Sequence, residues 1–209
     1  MMTFPSEELL RGEHSGDPAS PCVSCLHTLC TAGEYWTELD ACKVFDAAVS
    51  RSGAFELWRE VSGECIQPLP GDNIKKVYRI DRVLLPTDKL RDAGWTKGLI
   101  GVEIKRSSIK AGPPLSQMLD YQRCAWSSPK NIKVHLDYVF LFPLEKTMGT
   151  IASLMAQNRV GTCFLDNRED SEWHRLAFFL GEQKVVACYL NKGVIEVGNL
   201  NVGSRTGSR

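Results

Sequence analysis

Apolar side chains at Tyr35, Leu39, Cys42, Val44, Phe45, Ala48 and Val49 return at near-helical intervals between Glu34 and Ser52, and Gly53 supplies a stop, so this stretch predicts a helix. The period then shortens to two. Phe55 to Val61 alternates, with Phe55, Leu57, Arg59 and Val61 on one side, and predicts a strand. Gly63 and the turn-forming cluster Pro68 to Asp72 lead into a second strand, Val77 to Leu85, rich in β-branched residues and holding one acid, Asp81. A third runs from Leu99 to Lys105. Alternation there puts Gly101, Glu103 and Lys105 on one face and Ile100, Val102 and Ile104 on the other, one face chemical and one apolar. The connection between Leu85 and Leu99, with Pro86, Asp88, Asp92 and Gly94, is long for a hairpin and is a candidate for substrate contact.

Downstream, Ser107 to Pro114 contains Gly112 and two prolines and reads as a loop ending at a helix start. Leu115, Met118, Leu119, Gln122 and Trp126 give that helix an inward face, while Gln117 and Tyr121 share a neighbouring stripe one turn apart. Val134 to Phe142 is apolar on both faces and predicts an interior strand ended by Pro143. Met148 to Gln157 predicts a helix that buries Ile151, Leu154 and Met155. The short runs Arg175 to Leu180, Val185 to Leu190 and Val194 to Val197 suggest a small antiparallel addition packed on the core. The expected fold is α/β, a mixed central sheet flanked by helices. Residues 1–32 form a leader with a cysteine-rich segment, 33–160 the core, 161–202 the C-terminal β addition and 203–209 a basic tail.

A content of 43% hydrophobic and 24% charged residues fits an ordinary globular chain, and 209 residues suffice for one domain with a small appendage. No apolar run reaches the roughly 18 residues of a membrane span. Met1 to Gly12 carries acids rather than a basic, apolar leader, so the expected location is cytoplasmic, without a membrane partner. The formal net charge is zero, with 25 basic and 25 acidic residues, so the field of the whole molecule does not announce a nucleic-acid partner. Local clustering would have to do so: Lys75, Lys76, Arg79, Arg82, Lys105, Arg106 and Lys110 gather around Asp81 and Glu103, and Arg205 and Arg209 follow near the end, a cluster that reads either as a solvated face or as a binding patch flanking the acids. His135 and His174 lie in or beside apolar runs and read as core histidines. Ser-His-Asp order, a phosphate-cradling glycine loop and internal repeats are all absent from the sequence.

A carboxylate buried in a strand is costly unless it is paired or binds a metal. If the Asp81 and Glu103 strands adjoin, both acids can converge on one divalent cation with Lys105 beside it. Mg²⁺ suits two carboxylates and a backbone carbonyl because it takes oxygen ligands and keeps several waters. Such an ion polarises a phosphodiester and lowers the pKa of water, and an ammonium beside it offsets transition-state charge.

These residues resemble the PD-(D/E)XK nucleases, whose signature is an acid on one strand, here Asp81, and Glu-x-Lys on the next, here Glu103, Ile104 and Lys105. Gln117 to Tyr121 is similar to the Gln-x-x-x-Tyr motif of the RecB-like branch, and the resemblance spans Phe55 to Phe142, as in small nucleases of bacteriophages and their hosts. It implies a restriction-endonuclease-like core and a Mg²⁺ or Mn²⁺ ion held by Asp81, Glu103 and the Ile104 carbonyl. Lys105 would position or help deprotonate the attacking water, and Gln117 and Tyr121 would orient water and substrate. The first helix would bring a further acid, Glu38 before Glu34, and Arg79, Arg82, Arg106 and Lys110 would contact DNA.

Eight cysteines in a chain expected in the cytoplasm point away from a disulfide framework and towards metal or burial. Cys22 and Cys25 form a Cys-x-x-Cys turn, and Cys30 with His27, His14 or Cys42 could complete a structural Zn²⁺ site. Free thiols are the alternative, and the resemblance adds an iron-sulfur cluster. The expected function is metal-dependent hydrolysis of DNA in repair, recombination or phage DNA processing, in the host cytoplasm if the chain is phage-encoded, with a homo-oligomer left open. The rivals are a catalytically inactive DNA-binding module that keeps the nuclease fold, and an interaction protein built on the cysteine segment.

Overall fold

The computed structural model describes residues 37–67, 76–106, 112–144, 149–166, 175–190 and 192–198. The expected leader with Cys22, Cys25, His27 and Cys30, the residues Lys110 and His174, and the basic tail lie outside them.

Helix α1 is Glu38–Ser52. It starts later than its periodicity predicts because Thr37 has extended backbone and caps it. The Thr37 hydroxyl accepts the Asp40 N–H at 3.2 Å, and the Asp40 carboxylate accepts the Thr37 N–H at 3.3 Å. Gly53, at φ 59°, closes the other end in the left-handed conformation glycine tolerates best. Removing the cap with Thr37→Ala should lower stability by about 1 kcal/mol, read as a lower urea midpoint at unchanged slope.

Among the described residues ten strands form one curled, mixed sheet. β1 (Phe55–Cys65) and β2 (Val77–Pro86) make an antiparallel hairpin, followed by the short helix α2 (Asp88–Asp92) and β3 (Leu99–Ile104). Helix α3 (Gly112–Tyr121) leads to β4 (Cys124–Ser127), β5 (Lys133–Val134) and β6 (Leu136–Phe142). Helix α4 (Gly149–Gln157) precedes β7 (Val160–Asp166), β8 (Arg175–Leu180), β9 (Gln183–Tyr189) and β10 (Val194–Val197). The spatial order is β10-β9-β8-β7-β6-β3-β2-β1-β4-β5, with β3, β6 and β7 mutually parallel and the other neighbours antiparallel.

Two apolar clusters hold the layers together. In one, Val44 and Phe45 of α1 pack on Ile100, Val102 and Ile104 of β3 and Phe140 and Phe142 of β6, with the Phe45 and Phe142 rings 5.0 Å apart. In the other, Met118 and Tyr121 of α3 meet Ile80, Val83, Trp126, Val139 and Leu141. Each such side chain, fully buried, contributes about 1.5–3 kcal/mol. β6 serves both clusters, as its two-sided apolar pattern predicts.

Several expectations need correction. The C-terminal strands β8 to β10 are antiparallel, as expected, but instead of packing on the core they extend its own sheet through β7, which pairs with β6 in parallel. The physical reason is that β7 is buried along Val160 to Cys163 and its second edge needs a backbone partner. Trp126 is not on the helix, because the chain turns after Tyr121 and Trp126 lies in β4, over Gly63 of β1. A Cβ at Gly63 would stand 2.6 Å from the Trp126 ring, so only glycine admits the indole there. Leu39, Leu119 and Leu154 are exposed instead of inward, and the exposed His135 is not a core histidine. Among the described residues no helix is long and apolar enough to cross a membrane.

Candidate active site

Regular alternation would put Ile80 and Val83 on opposite faces of β2, yet both belong to the same apolar cluster, as do Val61 and Trp58 of β1. The alternation breaks at the facing positions Glu60, where φ is 51°, and Asp81, between the paired positions Arg59–Arg82 and Val61–Ile80. The β2–β3 pairing extends to Arg82 and Val102. Beyond it, the Ile104 N–H donates to Asp81 Oδ2 at 2.7 Å, so a side chain takes over where the ladder stops. Asp81 thereby faces the end of β3.

Arg82 braces this bend. Its Nη1 donates to the Asp81 carbonyl at 2.7 Å and its Nε meets Asp46 Oδ1 of α1 at 2.6 Å. At 6% exposure Arg82 is a buried structural cation, which corrects its expected role as a DNA contact. Asp46 carried no sequence signal beyond being an acid between buried residues of a helix. Arg79 does reach solvent, with its side chain 71% exposed and an ion pair to Glu60 at 2.9 Å. Arg106 is exposed.

Glu103 is 2% exposed, which a carboxylate tolerates only with partners. Lys105 Nζ lies 2.7 Å from its Oε1, on the side of β3 that alternation predicts. Lys105 is held in place by its own N–H, which donates to the Phe142 carbonyl at 2.8 Å and carries the β3–β6 register one residue further. The Tyr121 hydroxyl is 3.0 Å from Glu103 Oε2 and 3.0 Å from the Arg79 carbonyl. It has one proton, and the charged acceptor is the stronger one. Gln117, one turn earlier on α3, donates to the Tyr121 oxygen. The Tyr121 ring is fixed edge-on against Trp126 at 5.2 Å and Tyr78 at 5.8 Å. Tyr78 in turn hydrogen-bonds Asp120 Oδ2 at 2.9 Å. Trp126, Tyr78 and Asp120 are the supporting residues that the motif spacing did not indicate.

Glu38 Oε2 is 4.0 Å from Lys105 Nζ, so the expected helix acid does arrive at the cluster. Burial and then the charge of Asp81 raise the Glu103 carboxyl above its usual range. Burial works to lower the Lys105 ammonium, but Glu103 first, then Asp81 and Glu38, outweigh it and hold the pKa above the ordinary lysine value. Three carboxylates around one ammonium leave an excess of negative charge. Among the described residues no group of three or more His, Cys, Asp and Glu side chains could hold a metal ion. Two carboxylates with an unmatched negative charge fit an ion that completes its shell with backbone and water, as Mg²⁺ does.

Alkaline pH should unfold the protein by a cumulative linkage. Burial pushes Cys124 and Tyr78 up to about 12 each, from ordinary values of 9.0 and 10.0, and burial with Glu103 raises Tyr121. The folded state therefore keeps protons that the unfolded chain releases, and Lys105 adds in the same direction above 10.5. Their contributions are present in full below pH 9 and decline as pH rises from 9 to 12. Melting temperatures measured under reducing conditions should fall steadily across that window.

Comparison with protein-family models, curated proteins and solved structures returns no match.

Proposed function

We propose that the chain is a metal-dependent nuclease that hydrolyses DNA phosphodiester bonds. The observation that carries this reading is the meeting of Asp81, Glu103, Lys105, Gln117 and Tyr121, from β2, the end of β3 and one stripe of α3, in one interacting cluster. Asp81 and Glu103 would hold Mg²⁺ or Mn²⁺, with the Ile104 carbonyl as the third protein ligand. When bound, the ion supplies a lowered pKa for water and positive charge beside the scissile phosphate.

The chain's own residues divide the remaining work. Lys105 keeps its proton because carboxylates surround it, so it suits orienting the attacking water and offsetting charge on the phosphate better than removing a proton. Tyr121 fixes the Glu103 carboxylate, and Gln117 fixes Tyr121. Arg79 and Arg106, both exposed, are the candidates for contact with the phosphate backbone.

A second reading, a non-catalytic DNA-binding module, is favoured by the near-complete burial of Glu103, whose two oxygens already have protein partners. Purified protein incubated with plasmid and linear DNA and Mg²⁺ or Mn²⁺ separates the two. Cleavage that a chelator abolishes supports the enzyme. DNA binding without cleavage under any of these conditions supports the module and contradicts the enzyme.

A further inference from the structure

We propose that Cys65 and Cys124 form a redox-active dithiol that closes to a cross-strand disulfide by exchange with a low-molecular-weight disulfide. The two residues are directly opposed on β1 and β4, at the position where Gly63 faces Trp126 and Glu64 faces Ala125 in the same register. The backbone bonds fix which kind of antiparallel pair this is. The Cys65 N–H donates to the Lys76 carbonyl, across the other edge of β1, at 3.0 Å, while the Ile66 N–H donates to the Arg123 carbonyl at 3.0 Å. Cys65 and Cys124 are therefore a non-hydrogen-bonded pair, in which facing Cα atoms approach to about 4.5 Å. That lies at the short end of the range a disulfide spans, so bridging needs little backbone movement, and bonds at this limit are readily reduced again. Cys124 Sγ donates to the Asp120 carbonyl at 3.3 Å.

The thiols differ in access, which sets the order of events. Cys65 is half-buried and Cys124 is 1% exposed. The Cys65 thiolate attacks one sulfur of glutathione disulfide, forming a mixed disulfide and releasing one glutathione. Cys124 then gives up its thiol proton as it attacks Cys65 Sγ and expels the second glutathione; burial holds that proton, so this second step is the slow one. Two thiol protons and two electrons leave the protein and reappear in two reduced glutathione molecules. The new bond ties the end of β1 to the residue three places beyond Tyr121.

The test is a peptide map of the full chain. Reduced protein is equilibrated with glutathione disulfide, quenched in acid, alkylated under denaturing conditions and digested. The expected product is a linked pair of peptides containing Cys65 and Cys124, lighter by two hydrogens and restored to two alkylated peptides by dithiothreitol. Cys124→Ser should instead trap Cys65 as its glutathione adduct. The proposal is overturned if wild-type Cys65 and Cys124 both remain alkylated, or if Cys65 stops at the glutathione adduct while Cys124 stays free. The wild-type map decides between these results even if the variant does not fold.

Discussion

Glu103→Gln is expected to reduce Mg²⁺-dependent DNA cleavage by about 10²–10³-fold or more while the protein stays folded. The amide keeps the shape of the carboxylate and an oxygen for the Tyr121 hydroxyl. What it removes is the charge that would draw a divalent ion into the cluster and that holds Lys105 at 2.7 Å. Lys105 retains Glu38 and the field of Asp81, so the variant should lose less than the roughly 3–5 kcal/mol of a buried ion pair broken outright. Cleavage rates are to be compared at equal folded fraction, fixed by urea unfolding. A variant that cleaves as fast as the wild type removes Glu103 from the chemistry.

Trp126→Ala should produce the largest loss of stability, about 3–5 kcal/mol, because it empties a fully buried indole from the second apolar cluster. The same ring touches Tyr121 edge-on, covers Gly63 and donates from Nε1 to the Tyr121 carbonyl at 3.2 Å. Cleavage should therefore fall further than the folded fraction does, because Tyr121 loses the wall that sets its hydroxyl against Glu103. Chemical denaturation gives the first effect and the rate per folded molecule gives the second. Trp126→Phe, which keeps most of the volume and loses the N–H, should fall between wild type and alanine on both measures.

The parts of the fold that were legible are those with unambiguous periodicity. β2, β3 and β6 appear where alternation and two-sided apolar runs predicted them, and Glu103 and Lys105 share a side because a strand repeats every two residues. Alternation alone could not place Asp81. It stands at a break in the pattern, made by Glu60 at φ 51° and braced by the Arg82–Asp46 pair, and neither feature has a local sequence signal. The chemical face of β3 also proved mixed, since a Cβ at Gly101 would meet Leu136 and Ile80 within 2.6 Å and only the end of the strand is polar. Trp126 was misread because its distance from Met118 and Gln122 matches a helical repeat, while β4 is only four residues long and draws its stability from pairing with β1. Long-range pairing likewise explains the C-terminal strands, whose continuity with β6 is a tertiary choice that short alternating runs do not encode.

In the proposed function, the excess negative charge around Lys105 is answered by a divalent cation. Titration of Mn²⁺ into the full chain, followed by calorimetry or by the paramagnetic signal of the free ion, measures this without reference to cleavage. Saturable binding that Mg²⁺ displaces is predicted, and it should be lost in Asp81→Asn, whose side chain can still accept the Ile104 N–H through its amide oxygen. A wild-type chain that takes up no Mn²⁺, or an Asp81→Asn chain that binds it equally well, would contradict the account.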